Sequence, residues 1–222
     1  MIIKSISGKV IYKSVHKTVR ATLEDGVEKG IDFSFADLRK ARLFGAGLDG
    51  IRATGASFWG AELGGADIGL SDLRKADLRC VNLKDTCLAE SDLCGADLRG
   101  AYFAGTILEG ASLDDCRVSC PSFWDVDISS VSSLKRAVYS HKGEQDIPVD
   151  PRRWVLDGPN GRIVFNDNLC VWRGAIYRRE LPAPLRQCLL EYLDGLQPLL
   201  GLKYSCNAKK PIPKIPSSSR AV

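Results

Sequence analysis

Eight cysteines and two histidines are the side chains here best suited to metal or redox chemistry, and their spacing argues against both. Cys80, Cys87, Cys94, Cys116, Cys120, Cys170, Cys188 and Cys206 include no Cys-x-x-Cys pair, and only His16 and His141 could assist them. No metal site is expected, and free thiols are the simpler reading. His141 has no nucleophile motif beside it, and P-loop and HExxH runs are both missing. The chain therefore reads as a protein without catalytic residues or a cofactor. Its other chemistry is charge, and whether charges cooperate depends on the elements that carry them.

Those elements follow from a period that is neither helical nor that of a plain strand. In "SDLRKADLRC", Leu73 and Leu78 stand five apart, each preceded two residues earlier by a small side chain, Ser71 or Ala76. Carried outward, the frame holds from 31 to 120, with apolar residues at all 18 central positions from Phe33 to Val118. Two residues before each, 15 of the 18 positions are Ala, Ser, Thr or Cys; Ile31, Ile51 and Val81 are the exceptions. This is an internal repeat. Residues two apart on an extended segment point the same way, so the small and the large residue both enter the core while the rest of each unit turns a corner. Glycine ends nine of the 18 units, as a turn with positive φ would favour. Four such corners close a coil of 20 residues.

"ADLRK", "AELGG", "ADLRC", "SDLCG" and "ADLRG" resemble the A(D/N)LXX unit of the pentapeptide repeat family, across 31–120. The resemblance implies a mainly β chain built as a right-handed quadrilateral β-helix with four units per coil. With about 4.8 Å between stacked strands, such a stack is roughly 22 Å long. Cys80, Cys87 and Cys94 then fall on three sides of it. Cys80 and Cys120 share a side but lie about 9.6 Å apart, beyond disulfide reach. The expected organisation is an N-terminal cap at 1–30, the solenoid at 31–130, a C-terminal α/β module at 131–205, and a flexible, basic, proline-rich tail at 206–222. In the cap, "IIKSISGKVIY" reads as a β-hairpin, and Val15, Val19, Leu23 and Val27 as one face of a helix ending at Gly30. This layout is similar to that of bacterial and phage pentapeptide proteins, and it suits the need to cover an apolar end coil. The start lacks the apolar core of a secretory signal and no run is long enough to cross a bilayer, so a cytoplasmic protein with no membrane partner is expected.

Charge is unevenly distributed over this plan. The chain's net charge is +4, yet residues 31–120 carry 14 acidic and 10 basic side chains. The side built from units 46–50, 66–70, 86–90 and 106–110 holds Asp49, Asp67, Glu90 and Glu109 with no Lys or Arg, and the other sides balance. The leading expectation is a non-enzymatic protein–protein interaction module, a scaffold or inhibitor that binds another protein. The resemblance adds an alternative, because quinolone-resistance pentapeptide proteins bind type II topoisomerases in the manner of duplex DNA. Such a DNA mimic would modulate a DNA-processing enzyme through the acidic side. Duplex DNA, however, presents one charge per about 1.7 Å of axis, and the C-terminal part here is far larger than a simple dimerising helix.

The C-terminal part supplies two further candidates. Arg152, Arg153, Arg162, Arg173, Arg178 and Arg179 interleave with Trp154, Trp172 and Tyr177 in three β-rich runs that read as a meander. A basic surface with aromatics can follow a nucleic-acid backbone, a second alternative, although such a pattern more often reflects Trp packed in a small core with the arginines solvated or bound to acidic protein. In "PAPLRQCLLEYLDG", Leu185, Leu189, Tyr192 and Leu193 share one helix face that must be buried, against the meander or in a homodimer. If it pairs two chains, Leu189→Glu yields a folded monomer in sedimentation at micromolar concentration; a monomeric wild-type chain refutes the dimer.

Overall fold

The computed structural model describes residues 1–119, 122–123, 126–128, 130–140, 147–149 and the strands 154–158, 161–166, 169–172 and 175–178, with only the backbone described at 147–148 and from 154 onward. Two compact units divide between Pro151 and Arg152.

In the first unit the repeat frame becomes a stack of coils. Parallel bridges join residues 20 apart, from Asp32↔Arg52 through Asp92↔Ser112, so four units make each coil and every strand sits above its counterpart. A typical rung has a pair of bonds: the Glu62 N–H donates to Ala41 O (2.9 Å) and the Leu43 N–H to Glu62 O (2.8 Å). Central residues such as Leu43, Phe58 and Leu83 are fully buried, as are the small residues Ala56 and Ala61 facing the same interior. The architecture is a mainly β solenoid.

The corners explain the glycine pattern and exceed it. Every fifth residue from Phe35 to Asp115 has positive φ, between 54° and 73°, including non-glycine Lys40, Leu70, Lys75, Cys80, Asp85 and Glu90. A left-handed conformation costs a side-chain-bearing residue about 1–2 kcal/mol. Much of the stacking here offsets that cost by alternation. A Cβ on Gly100 would stand 3.2 Å from Cys80 Sγ, one on Gly95 3.4 Å from Lys75 Cγ, and one on Gly110 3.0 Å from Glu90 Cγ. Side chains at these corners lean over a glycine in the next coil.

The N-terminal end is closed by a hairpin, β1 (Ile2–Lys4) and β2 (Val10–Lys13), and a helix, α1 (Val19–Glu28). β1 joins the first coil in antiparallel fashion: Ser5 bridges Ala36, the Asp37 N–H donates to Lys4 O, and the Ile6 N–H to Phe35 O. Thr18 caps α1 by accepting the Ala21 N–H, so the helix starts after Val15, which is 94% exposed and belongs to no helical face. The buried face is Thr22, Leu23 and Gly26. Gly26 is required by a close approach, since a Cβ there would lie 2.3 Å from the ring of buried Phe33. Asp25 ties helix to hairpin, accepting from Tyr12, Ser14 and Lys29.

At the other end the ladder runs past 130. β3 (Asp97–Leu98), β4 (Arg117–Val118) and β5 (Val138–Tyr139) pair in parallel, and Ala137 and Tyr139 are buried. The register from β4 to β5 is 21 rather than 20, as is Ser112↔Ser133. One extra residue has entered before Ser130, and the shifted frame hides the later units from a fixed five-residue count. β6 (Ile147–Pro148) then pairs antiparallel with β5 and reverses the edge.

The second unit contains β7 (Trp154–Gly158), β8 (Gly161–Asn166), β9 (Leu169–Trp172) and β10 (Ala175–Arg178), an antiparallel meander in that order. Trp172 pairs with Ala175, so the third β-rich run of the sequence is two strands. The helix expected near 183–194 and the tail at 206–222 lie outside the described residues.

Ile51 and Ala53, both buried, exchange the usual small and large sizes within one unit. Ala53→Leu is expected to overpack this coil and destabilise the protein by about 1–3 kcal/mol. The double change Ile51→Ala with Ala53→Leu restores stability; equal melting temperatures for the single and double variants refute the compensation.

Candidate functional site

The fourth side of the solenoid is the row of units at 46–50, 66–70, 86–90 and 106–110. Its outward strand positions form one parallel rung series, Gly47↔Asp67, Asp67↔Cys87 and Cys87↔Ile107. The structure exposes all four carboxylates expected here, but in different columns. Asp67 stands in the strand column, Asp49 and Glu109 two residues further along their units, and Glu90 at a corner with φ 56°. Gly69 sits between two of them, as a Cβ there would lie 3.1 Å from Asp49 Oδ1 and 3.4 Å from Asp67 Oδ1. Asp67 accepts the Gly69 N–H at 3.1 Å. None of the four is in a salt bridge with a described residue. Leu70, 62% exposed, and Ile107, 50% exposed, lie among them.

Elsewhere the repeat neutralises its own acids. In "DLR" the Asp and Arg are two apart and project from the same strand, so the guanidinium folds back on the carboxylate with two hydrogen bonds. Arg39 reaches Asp37 at 2.7 and 2.7 Å, Arg74 reaches Asp72 at 2.9 and 2.6 Å, and Arg79 reaches Asp77 at 2.8 and 2.9 Å. Arg99 does the same with Asp97. Arg74 and Arg79 also approach Asp92 and Asp97 of the next coil, at 3.7 and 3.8 Å. The hydrogen bonds from Arg74 hold Asp72 down to about 2, and Asp77 is lowered by Arg79 in the same way. The fourth side has Asp49, Gly69, Ala89 and Glu109 where these arginines stand, which leaves its acids without that partner. This pairing was readable in the repeated D-x-R spacing, a signal that a tally of charges by side passes over.

The remaining candidates do not converge. Cys80, Cys87, Cys94 and Cys116 are free thiols; Cys116 is buried, donates to Leu93 O, and its thiol is pushed up by burial. In the meander, the cross-strand register puts Trp154, Trp172 and Tyr177 in one alternating set and Arg162 and Arg178 in the other. Arg152, Arg153, Arg173 and Arg179, the residues Leu185, Leu189, Tyr192 and Leu193 of the expected dimer helix, and His141 lie outside the described residues. Among the described residues no helix is long and apolar enough to cross a membrane.

The family model for pentapeptide repeats matches residues 31–69, 60–93 and 88–119, with eight copies. Residues 31–119 are a run of pentapeptide repeats. Among solved structures the chain is similar to a pentapeptide repeat protein of the cyanobacterium Cyanothece 51142, at 25% identity over 45% of this chain and 58% of that one, with a TM-score of 0.34. A pentapeptide repeat protein of the Arabidopsis thaliana thylakoid lumen is 30% identical over 38% of this chain and 66% of that one, with a TM-score of 0.29. A plasmid-mediated fluoroquinolone resistance protein is 21% identical over 50% and 60%, with a TM-score of 0.20. The chain thus spans less than two thirds of each of these structures. No curated protein matches it.

Because Asp72 in the pentapeptide stack titrates below its ordinary value of 3.8, its contribution to stability is present above that value and is lost as the pH falls toward 2. Arg74→Met should lower stability by less than about 1 kcal/mol at neutral pH, since the arginine is half exposed. The difference from wild type should vanish near pH 2 in paired chemical-denaturation curves. A difference that grows toward low pH contradicts the assignment.

Proposed function

We propose that this pentapeptide repeat protein is a non-enzymatic interaction module whose solenoid, a right-handed quadrilateral β-helix, docks another protein on its fourth side as a scaffold or inhibitor. The observation that carries the reading is the combination on that side of Asp49, Asp67, Glu90 and Glu109, none in a salt bridge with a described residue, with exposed Leu70 and Ile107. Apolar residues within a charged surround are the composition of a protein interface, where the apolar area supplies affinity and the charges steer encounter and select partners. The regular hydrogen-bond ladder beneath holds these groups in place, so little order has to be gained on binding.

Mimicry of duplex DNA toward a DNA-processing enzyme such as a type II topoisomerase is the narrower version of this reading. The uncompensated carboxylates favour it. Their spacing weakens it, since they are spread over different columns at about one per coil step of roughly 4.8 Å, against one charge per about 1.7 Å in DNA.

Asp67→Lys with Glu90→Lys tests both. These side chains do not enter the core, so the variant should melt like wild type. Affinity capture from host cells with nuclease treatment should recover a partner with the wild-type chain and lose it with the variant, and the interaction should weaken with salt. Identical partners for both proteins would refute the acidic side as the docking face. With a captured DNA-binding partner, displacement of labelled duplex by wild type but not by the variant supports mimicry, and a stable ternary complex rules it out.

A further inference from the structure

A groove of about 640 Å³ lies at the N-terminal end of the solenoid, between β1, the start of α1 and the corner that joins the second and third sides of the first coil. Its lining combines Ile2 and Val19 with Arg20, Arg39, Lys40 and Arg42. Asp37, its acidic lining residue, is taken by Arg39 in a two-point pair. Arg20 is paired with Glu24 and Lys40 lies over the Trp59 ring, whereas Arg42 is exposed and makes no ion pair with a described residue. The groove is therefore cationic, and Arg42 is its uncommitted charge.

The backbone of Arg42 is equally uncommitted. In the coils above, the residue in its column donates its N–H to the coil below and accepts a bond from it. Glu62 does both with Ala41 and Leu43, and Asn82 with Ala61 and Leu63. Arg42 belongs to the first coil and has no coil below, and no described residue takes its N–H or its carbonyl. The chain closes the neighbouring edges itself. On the second side the Asp37 N–H donates to Lys4 O at 2.8 Å, and on the fourth the Gly47 N–H donates to the Glu24 carboxylate at 3.1 Å. The third side is left with a strand edge that has a donor, an acceptor and a guanidinium facing a groove of net positive charge. Asp32, at the same position on the first side, is acidic and would repel an anionic ligand.

We propose that this groove binds an extended acidic segment of a partner protein, which adds to the solenoid edge at Arg42. The segment's backbone would complete the ladder there, as β-strand addition does at other exposed edges. Its carboxylates would meet Arg42 and the neighbouring cations, and its alternate apolar side chains would meet Ile2 and Val19. This site is separate from the acidic fourth side and stands or falls independently of it.

The probe is a fluorescein-labelled peptide of alternating Glu and Val, titrated into the full-length chain by anisotropy. Binding that weakens with salt is expected, with no binding of the matching Lys–Val peptide. Arg42→Glu, on an exposed side chain, should weaken binding by about tenfold or more without changing the melting temperature. Should that variant fail to fold, Arg42→Gln serves in its place. Hydrogen exchange at the Arg42 amide, followed by NMR, should slow in the complex, which charge attraction alone would not produce. Failure of the Glu–Val peptide to bind, equal binding of the Lys–Val peptide, unchanged affinity of a folded Arg42 variant, or unaltered exchange at Arg42 overturns the proposal. So does displacement by inorganic pyrophosphate at the same concentration as the peptide, which identifies a small-anion site instead.

Discussion

A backbone residue in the left-handed region at every fifth position turns this chain through each corner, and the rest of the solenoid follows from it. Between corners only three residues remain extended, so two face inward and one faces out. The inward pair must be one small and one large for the interior to fill evenly. The same geometry aligns each strand with the one 20 residues on, which lets successive rungs such as those at Glu62 and Asn82 repeat the same two hydrogen bonds. Where one residue is added before Ser130, the register becomes 21, yet the strands of β4 and β5 still pair and Tyr139 is still buried. The corner requirement is local enough to absorb the slip.

How much of this was legible in the sequence depended on whether a signal was repeated. The coil, its inward positions and its four-unit closure were readable because 18 consecutive units agree. The start of α1 was misplaced because Val15 has the right spacing for a helical face, and only the Thr18 cap shows that the helix begins later. The units after 130 were lost because a single inserted residue breaks a frame without disturbing the stacking. Side-specific charge was readable from a count. The Asp–Arg pairs that neutralise other sides were readable only in the D-x-R spacing, which a count of charges passes over. The third run of the C-terminal meander was read as one strand because "LCVWRGAIYR" is β-rich throughout, and a two-residue connection inside it leaves little compositional trace.

Both ends of the solenoid meet the same physical problem with related solutions. A parallel edge continues indefinitely unless something of opposite direction is laid on it. Ser5 pairs antiparallel with Ala36 at one end and β6 pairs antiparallel with β5 at the other, on the same side of the coil. A reversed strand offers the wrong polarity for another parallel coil, which discourages end-to-end polymerisation. Helix α1 contributes differently: Arg20 donates to Phe44 O and Glu24 accepts from Gly47, so polar side chains stand in for a missing layer of backbone.

The alternation of side chains and glycines at the corners gives the solenoid a grammar of length. Along one corner Phe35, Gly55, Lys75 and Gly95 succeed one another, and along the next Lys40, Gly60, Cys80 and Gly100. Removing one coil, residues 56–75, would set Gly55 against Gly95 and Lys40 against Cys80, leaving gaps on one corner and crowding on the other. Removing two coils would keep both sequences in step. On these two corners the alternation is therefore kept only when coils are gained or lost in pairs.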